Sequence, residues 1–243
     1  MIAMVEGYSS PVAASPYPEP PHFFKDLRWI IVYFKSRSKD LKAMVPEPAE
    51  PDPEGLCMSF VLDVPFSTGL GPYREGGTSV GVVYQGKNYF HDLDLYVTSD
   101  IPLLAGREIW GAPKLLADIS LDFGKGGVES GIVRRGCDEI LRIAYKNERS
   151  AQPEELPAPR DDIKLKVIPR ADRAGHAIKQ LIEVGMTDFV LKGLWTGPGT
   201  FTFGKSVLTQ AWKLEPIEFV GAFSMIHDSS ERYGRILYDY LKT

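Results

Sequence analysis

Leu56-Cys57-Met58-Ser59-Phe60-Val61-Leu62-Asp63-Val64 reads with a period of two: Leu56, Met58, Phe60, Leu62 and Val64 share one face, Cys57, Ser59, Val61 and Asp63 the other. Successive side chains of an extended chain point to opposite sides, so this stretch is a strand. The same alternation recurs in His91, Leu93, Leu95 and Val97 against Asp92, Asp94 and Tyr96. It recurs again in Ala117, Ile119, Leu121 and Phe123 against Asp118, Ser120 and Asp122. Gln85-Gly86-Lys87-Asn88 and Gly124-Lys125-Gly126-Gly127 supply the glycines that tight hairpins need where φ is positive. Further strands are predicted at 163–168, 178–184, 188–194 and 200–203, and the glycine-rich 193–204 is read as a hairpin rather than a phosphate cradle, because no helix follows it. Two helices are predicted: a short one capped by Ser38 and stopped by Pro46, and a C-terminal one in which Tyr233, Ile236, Leu237 and Tyr240 form a stripe. Many antiparallel strands must hide their edges. The expected fold class is therefore α+β, mainly antiparallel β, with a closed or curled barrel-like sheet and a few peripheral helices.

A chain of 243 residues, 44% hydrophobic and 25% charged, is long enough for a sizeable core without disulfide staples. Prolines cluster at 11–21, 46–53 and 153–159, and each cluster is read as a loop or extended arm. The third is the one candidate for an internal boundary; it is read as a long loop inside a single domain spanning 1–243. With 28 basic against 32 acidic residues and no basic run, the chain has no electrostatic footprint for nucleic acid or an anionic membrane surface. It has no apolar run of roughly 20 residues and no secretory n-region. A cytoplasmic protein is expected. Cys57 and Cys137 are too few for a metal site and are read as buried free thiols, and His22, His91, His176 and His227 are too scattered to ligate a metal. His91 is read as a hydrogen-bonded core histidine.

Chemistry is concentrated in Ile101-Pro102-Leu103-Leu104-Ala105-Gly106-Arg107-Glu108-Ile109-Trp110-Gly111-Ala112-Pro113-Lys114-Leu115-Leu116-Ala117. Lys114 follows a proline and precedes three apolar residues. Burial disfavours an ammonium, and a neutral lysine is a nucleophile toward ketones. The alternative is that Lys114 buries only its stem and extends its head to water, and from periodicity alone this is the commoner case. Arg107 and Glu108, adjacent opposite charges, are read as bracing the segment, and Trp110 as walling a pocket. Glu75, in a glycine-bounded loop, is by itself an ordinary turn acid.

The segment Gly106-Arg107-Glu108-Ile109-Trp110-Gly111-Ala112-Pro113-Lys114 resembles the signature of the acetoacetate decarboxylase family. The stretches 15–21, 43–51, 67–77, 165–169, 194–198 and 238–242 are similar to family blocks in family order. The resemblance implies a lyase that needs no cofactor or metal. Lys114 falls on the lysine that forms a Schiff base with a small keto acid, and Glu75 on the acid beside it. A lysine activated by its pocket or by a neighbouring cation is known for acetoacetate decarboxylase itself. The implied reaction is decarboxylation of an acetoacetate-like β-keto acid; the alternatives are an aldolase-dehydratase joining pyruvate to an aldehyde through the same imine, and a non-catalytic barrel holding a small ligand. A homo-oligomer is implied as well. Three positions depart from the family pattern. Leu115 stands where decarboxylases have a second lysine. The gating arginine falls on Leu27 or Asp26 with Arg28 adjacent, and a further glutamate falls on Phe60 or Val61.

Overall fold

The computed structural model describes residues 7–37, 41–124 and 126–242. Its strands are β1 (His22–Ser36), β2 (Glu50–Pro51), β3 (Leu56–Val64), β4 (Phe66–Ser67), β5 (Tyr73–Tyr84), β6 (Lys87–Val97), β7 (Lys114–Leu116), β8 (Asp118–Asp122) and β9 (Val128–Arg135) in the first half. They continue as β10 (Asp138–Lys146), β11 (Arg149–Ser150), β12 (Asp161–Pro169), β13 (His176–Val184), β14 (Met186–Gly197), β15 (Gly199–Phe203), β16 (Pro216–Glu231) and β17 (Arg235–Asp239). A large sheet runs in the order β11-β14-β16-β1-β3-β5-β6-β12-β13-β17, and a smaller one in the order β15-β10-β9-β8. Pairing is antiparallel except where β6 meets β7 and β12. Strands from before and after the Pro153–Pro159 segment interleave in the large sheet, since β16 lies against β1 and β12 against β6.

The quoted strand β3 is the hinge of the packing. Leu56, Phe60, Leu62 and Val64 enter one apolar cluster with Trp29, Leu95, Trp110 and Phe223. Val61, on the opposite face, enters a second cluster between the two sheets with Ile30, Val32, Tyr96 and Ile143. The polar face therefore meets protein rather than water, and Ser59 is fully buried with its hydroxyl 2.9 Å from that of Thr78. The β5–β6 turn has Gln85 and Gly86 both at positive φ, the pairing that a two-residue hairpin matched to strand twist requires.

Several expectations are corrected. Of the closed and curled forms expected, closure is not seen among the described residues: no pairing joins the two ends of the large sheet, whose edge strands β11 and β17 are short. The C-terminal stretch is a strand, not a helix, because Arg235–Asp239 supplies the partner that β13 otherwise lacks. The predicted hairpin at 193–204 is a corner: β14 pairs with β11 and β16, and after Pro198 the chain crosses into the other sheet, where β15 pairs with β10. Cys137 follows Gly136 in the β9–β10 turn and is exposed; Cys57 is buried as expected. The cap of the predicted helix at Ser38 lies outside the described residues.

Two features went unread. Asp100–Ala105 forms a helix, α1, continued by a π-helical turn over Gly106–Trp110 that ends at Gly111 with φ of 80°. In β6 the register against β5 slips between Asp92 and Asp94, leaving Leu93 as a bulge. The slip puts Phe90, Leu95 and Val97 on one face and Tyr96 on the other. It also turns Asp92 to the side on which β12 presents Lys164.

Candidate active site

Strand alternation explains how Lys114 reaches the interior. β7 pairs with β6 so that Lys114 lies beside Leu95 and Leu115 beside Tyr96. Leu95 belongs to the cluster around Trp29 and Trp110, and Tyr96 to the cluster between the sheets, so Lys114 and Leu115 point to opposite sides. The π-helical turn passes over the lysine stem at Gly106, where a Cβ would meet Lys114 Cδ at 2.7 Å. A side chain at 106 would therefore displace the lysine. Arg107 donates through Nη1 to the Lys114 carbonyl at 3.2 Å and pins β7 to this turn.

Lys114 Nζ donates to Glu75 Oε2 at 3.1 Å, and each side chain is only 11% exposed. Glu75 sits on β5 between Leu62 and Val97, so three paired strands fix it. The pair opens on a cavity of about 80 Å³ walled by Phe24, Leu27, Trp29, Leu62, Trp110, Ala112 and Met186. That volume suits a few waters or one very small molecule, far below the several hundred Å³ of a drug-sized pocket. Trp29 is held by its indole N–H donating to His227 Nε2 at 2.8 Å; burial pushes His227 down to about 4, so it accepts as a neutral ring. Trp110 is held by donation to the Arg232 carbonyl at 2.9 Å. Tyr73 also lines the cavity, its ring centroid 5.7 Å from Lys114 Nζ, and burial raises its phenol well above the ordinary range.

The remaining polar wall was not read from the sequence. Lys164, Asp162 and Glu231 line the same cavity. Lys164 donates to Asp92 and, at 3.1 Å, to Asp162. Burial opposes the Lys164 charge, but Asp162 and Asp92 together keep its pKa raised. Asp92, which burial alone would push up, is held low by Lys164. Asp162 has the opposite balance: burial outweighs Lys164, and its carboxyl is pushed up to about 7. Glu231 is raised by burial, against the pull of Lys114 and Lys164.

Of the residues predicted from sequence, Lys114, Glu75 and Trp110 come together. Arg28 does not join them. Its neighbours Leu27 and Trp29 face the cavity, so Arg28 faces the smaller sheet, where it pairs with Glu129 at 2.7 Å and stacks on Phe123. Leu115 is turned away. Arg107 braces the backbone, and Glu108 accepts the Tyr17 hydroxyl beside a separate surface hollow that Lys166 and Tyr233 also line. Phe60 packs on Trp29 with centroids 4.9 Å apart, and Val61 lies on the other face. His91 is bonded through Nδ1 to the Ile163 carbonyl at 2.9 Å, in keeping with a structural role. Among the described residues, no group of three or more His, Cys, Asp or Glu is disposed to hold a metal, and no helix is long and apolar enough to cross a membrane.

This geometry has relatives. The family model for acetoacetate decarboxylase matches residues 9–241. The acetoacetate decarboxylase of Ralstonia nicotianae is 33% identical over 96% of this chain and 95% of its own. The crystal structure of acetoacetate decarboxylase from Legionella pneumophila superposes with a TM-score of 0.89 at 28% identity, covering 98% of this chain and 96% of that one. The enduracididine biosynthesis enzyme MppR, in a structure complexed with pyruvate, shares the fold at a TM-score of 0.84 and 19% identity, over 96% of this chain and 98% of that one.

Proposed function

The chain belongs to the acetoacetate decarboxylase family, and on that footing we propose that it is a lyase whose Lys114 forms a Schiff base with a small keto acid and that decarboxylation of a β-keto acid is its principal reaction. The observation that carries this reading is the Lys114–Glu75 pair, closed into a small cavity with mostly apolar walls. Glu75 takes a proton from the Lys114 ammonium, and the free amine adds to the ketone carbon. Loss of water leaves a protonated imine, which accepts the electron pair of the breaking bond as CO₂ departs.

The charge distribution favours departure over retention. Both ammonium groups of the cavity, Lys114 and Lys164, are already paired with carboxylates, so a substrate carboxylate finds no free cation there. Losing that charge as CO₂ relieves the conflict. A second reading, condensation of pyruvate with an aldehyde followed by dehydration, is favoured by the acids Asp162 and Glu231 on the wall, since it needs more than one proton transfer. The pyruvate complex of MppR supports it only through a shared fold.

The test is borohydride reduction in the presence of acetoacetate, or of pyruvate, followed by mass spectrometry. A single adduct on the peptide containing Lys114 is expected, absent in Lys114→Ala. Glu75→Gln is expected to lower turnover of acetoacetate by about 100-fold. An adduct that survives Lys114→Ala overturns the assignment.

A further inference from the structure

Two of the three acids that line the cavity are engaged: Glu75 with Lys114 and Asp162 with Lys164. Glu231 is different. Its carboxyl makes no hydrogen bond and no ion pair with any described residue, yet it lines the same cavity as Lys114. It shares that cavity with both paired lysines, Lys114 and Lys164, and their charges act on it. Its backbone is closely fixed. As the last residue of β16 it is in register with His22 on one side and Met186 on the other, and Trp110 grips the next carbonyl, that of Arg232. A carboxyl carried on so fixed a strand end, lining the cavity and without a protein partner, is available to whatever occupies the cavity.

We propose that Glu231 is a second catalytic acid–base residue, which exchanges a proton with the carbon of the enamine formed on Lys114, while Glu75 serves the lysine nitrogen. The proposal rests on the Schiff-base reading above. Once CO₂ has left, the enamine holds an electron pair on its terminal carbon. The Glu231 O–H bond breaks, a C–H bond forms at that carbon, and the iminium is restored with Glu231 left as carboxylate. Water then adds to the iminium, the ketone departs with the water's oxygen, and Lys114 is released as the ammonium paired with Glu75, its added hydrogens coming from that water. Solvent returns a proton to Glu231, which accounts for the one proton that decarboxylation of a keto-acid anion consumes. Burial, which raises Glu231, keeps the proton available for donation.

The experiment separates the nitrogen from the carbon. The intact protein is incubated with acetone in D₂O, and methyl deuteration is followed by proton NMR while borohydride trapping reports imine on Lys114. The unmodified protein is expected to give both signals. Glu231→Gln is expected to keep the adduct, which also shows that the variant is folded, and to lose deuteration by about 100-fold or more. Glu231→Asp, an acid one methylene shorter, is expected to fall between the two. Deuteration unchanged in Glu231→Gln would overturn the proposal and leave the Lys114 reading intact; so would an adduct without deuteration in the unmodified protein. Loss of the adduct in Glu231→Gln would overturn the division of labour between the two acids. No adduct in the unmodified protein would overturn the Lys114 reading and the proposal with it.

Discussion

At the scale of the residue, two neighbours on one short strand have opposite fates. Lys114 and Leu115 differ by one position in β7, and a period of two sends the first to the cavity and the second to the core between the sheets. The sequence alone suggests that a lysine at 115 would lower the proton affinity of Lys114 and draw in the substrate carboxylate. The geometry removes that suggestion, because a side chain at 115 does not share the cavity. Leu115→Lys is therefore expected to leave acetoacetate turnover unraised and to lower stability by about 1 to 2 kcal/mol, from lost apolar contact partly offset by extension of the ammonium to water. Steady-state kinetics and urea denaturation of the variant check both halves, and a clear gain in turnover would contradict the placement. The apolar run drew attention to Lys114, but periodicity alone favoured a lysine extending its head to water, and only the family resemblance marked it as the reactive one. Glu231, Lys164 and Asp162 were not legible: an acid or lysine in an alternating strand has the same pattern whether it faces water or a cavity.

At the scale of the element, the bulge at Leu93 does what no regular strand could. A regular β6 would carry Asp92 and Asp94 on one face. The slip sends Asp92 to Lys164, while Asp94 accepts from the Thr209 hydroxyl at 2.5 Å and from the backbone N–H groups of Gln210 and Ala211. The Asp92–Lys164 pair clips β6 to β12 next to a parallel pairing that runs only from Asp161 to Ile163. Both partners are buried, so removing one strands the other. Lys164→Met is expected to cost about 3 to 5 kcal/mol in chemical denaturation, and Asp92→Met combined with Lys164→Met is expected to recover most of it, because an apolar pair of similar size avoids the desolvation of two charges. A double variant as unstable as the single one would show that the pair is not the source of the loss. The alternation that identified β6 could not reveal its bulge, which depends on the partner strand. The tail was misread for the same kind of reason, since Tyr233 to Tyr240 fits a helical stripe locally and becomes a strand only because β13 offers an open edge.

At the scale of the whole molecule, the large sheet gathers residues that are far apart in sequence around one small space: Phe24 and Trp29 from β1, Glu75 from β5, Asp162 and Lys164 from β12, and Glu231 from β16. Antiparallel β architecture was legible in the alternation and the glycine turns, whereas the order of strands was not, because only tertiary pairing sets it. Gathering so many ionisable groups around one small cavity leaves a mark on stability as a function of pH, even though the Asp162 side chain stays 35% exposed. Asp162 has an ordinary affinity for protons in the unfolded chain, near 3.9, and is pushed up to about 7 in the fold, chiefly by burial. Between these values the folded state holds a proton that the unfolded state has released, so the slope of unfolding free energy against pH is negative for this group. Its contribution is fully present below about pH 4 and is lost as the pH rises through about 7. Asp162→Asn removes the titration while keeping a polar group beside Lys164. The melting temperature of the unmodified protein, measured from pH 4 to 8, is therefore expected to fall more steeply, or rise less, than that of Asp162→Asn. The two curves should diverge across the window and run parallel above it. Curves that stay parallel from pH 4 to 7 would mean that the Asp162 carboxyl loses its proton as readily in the cavity as in water.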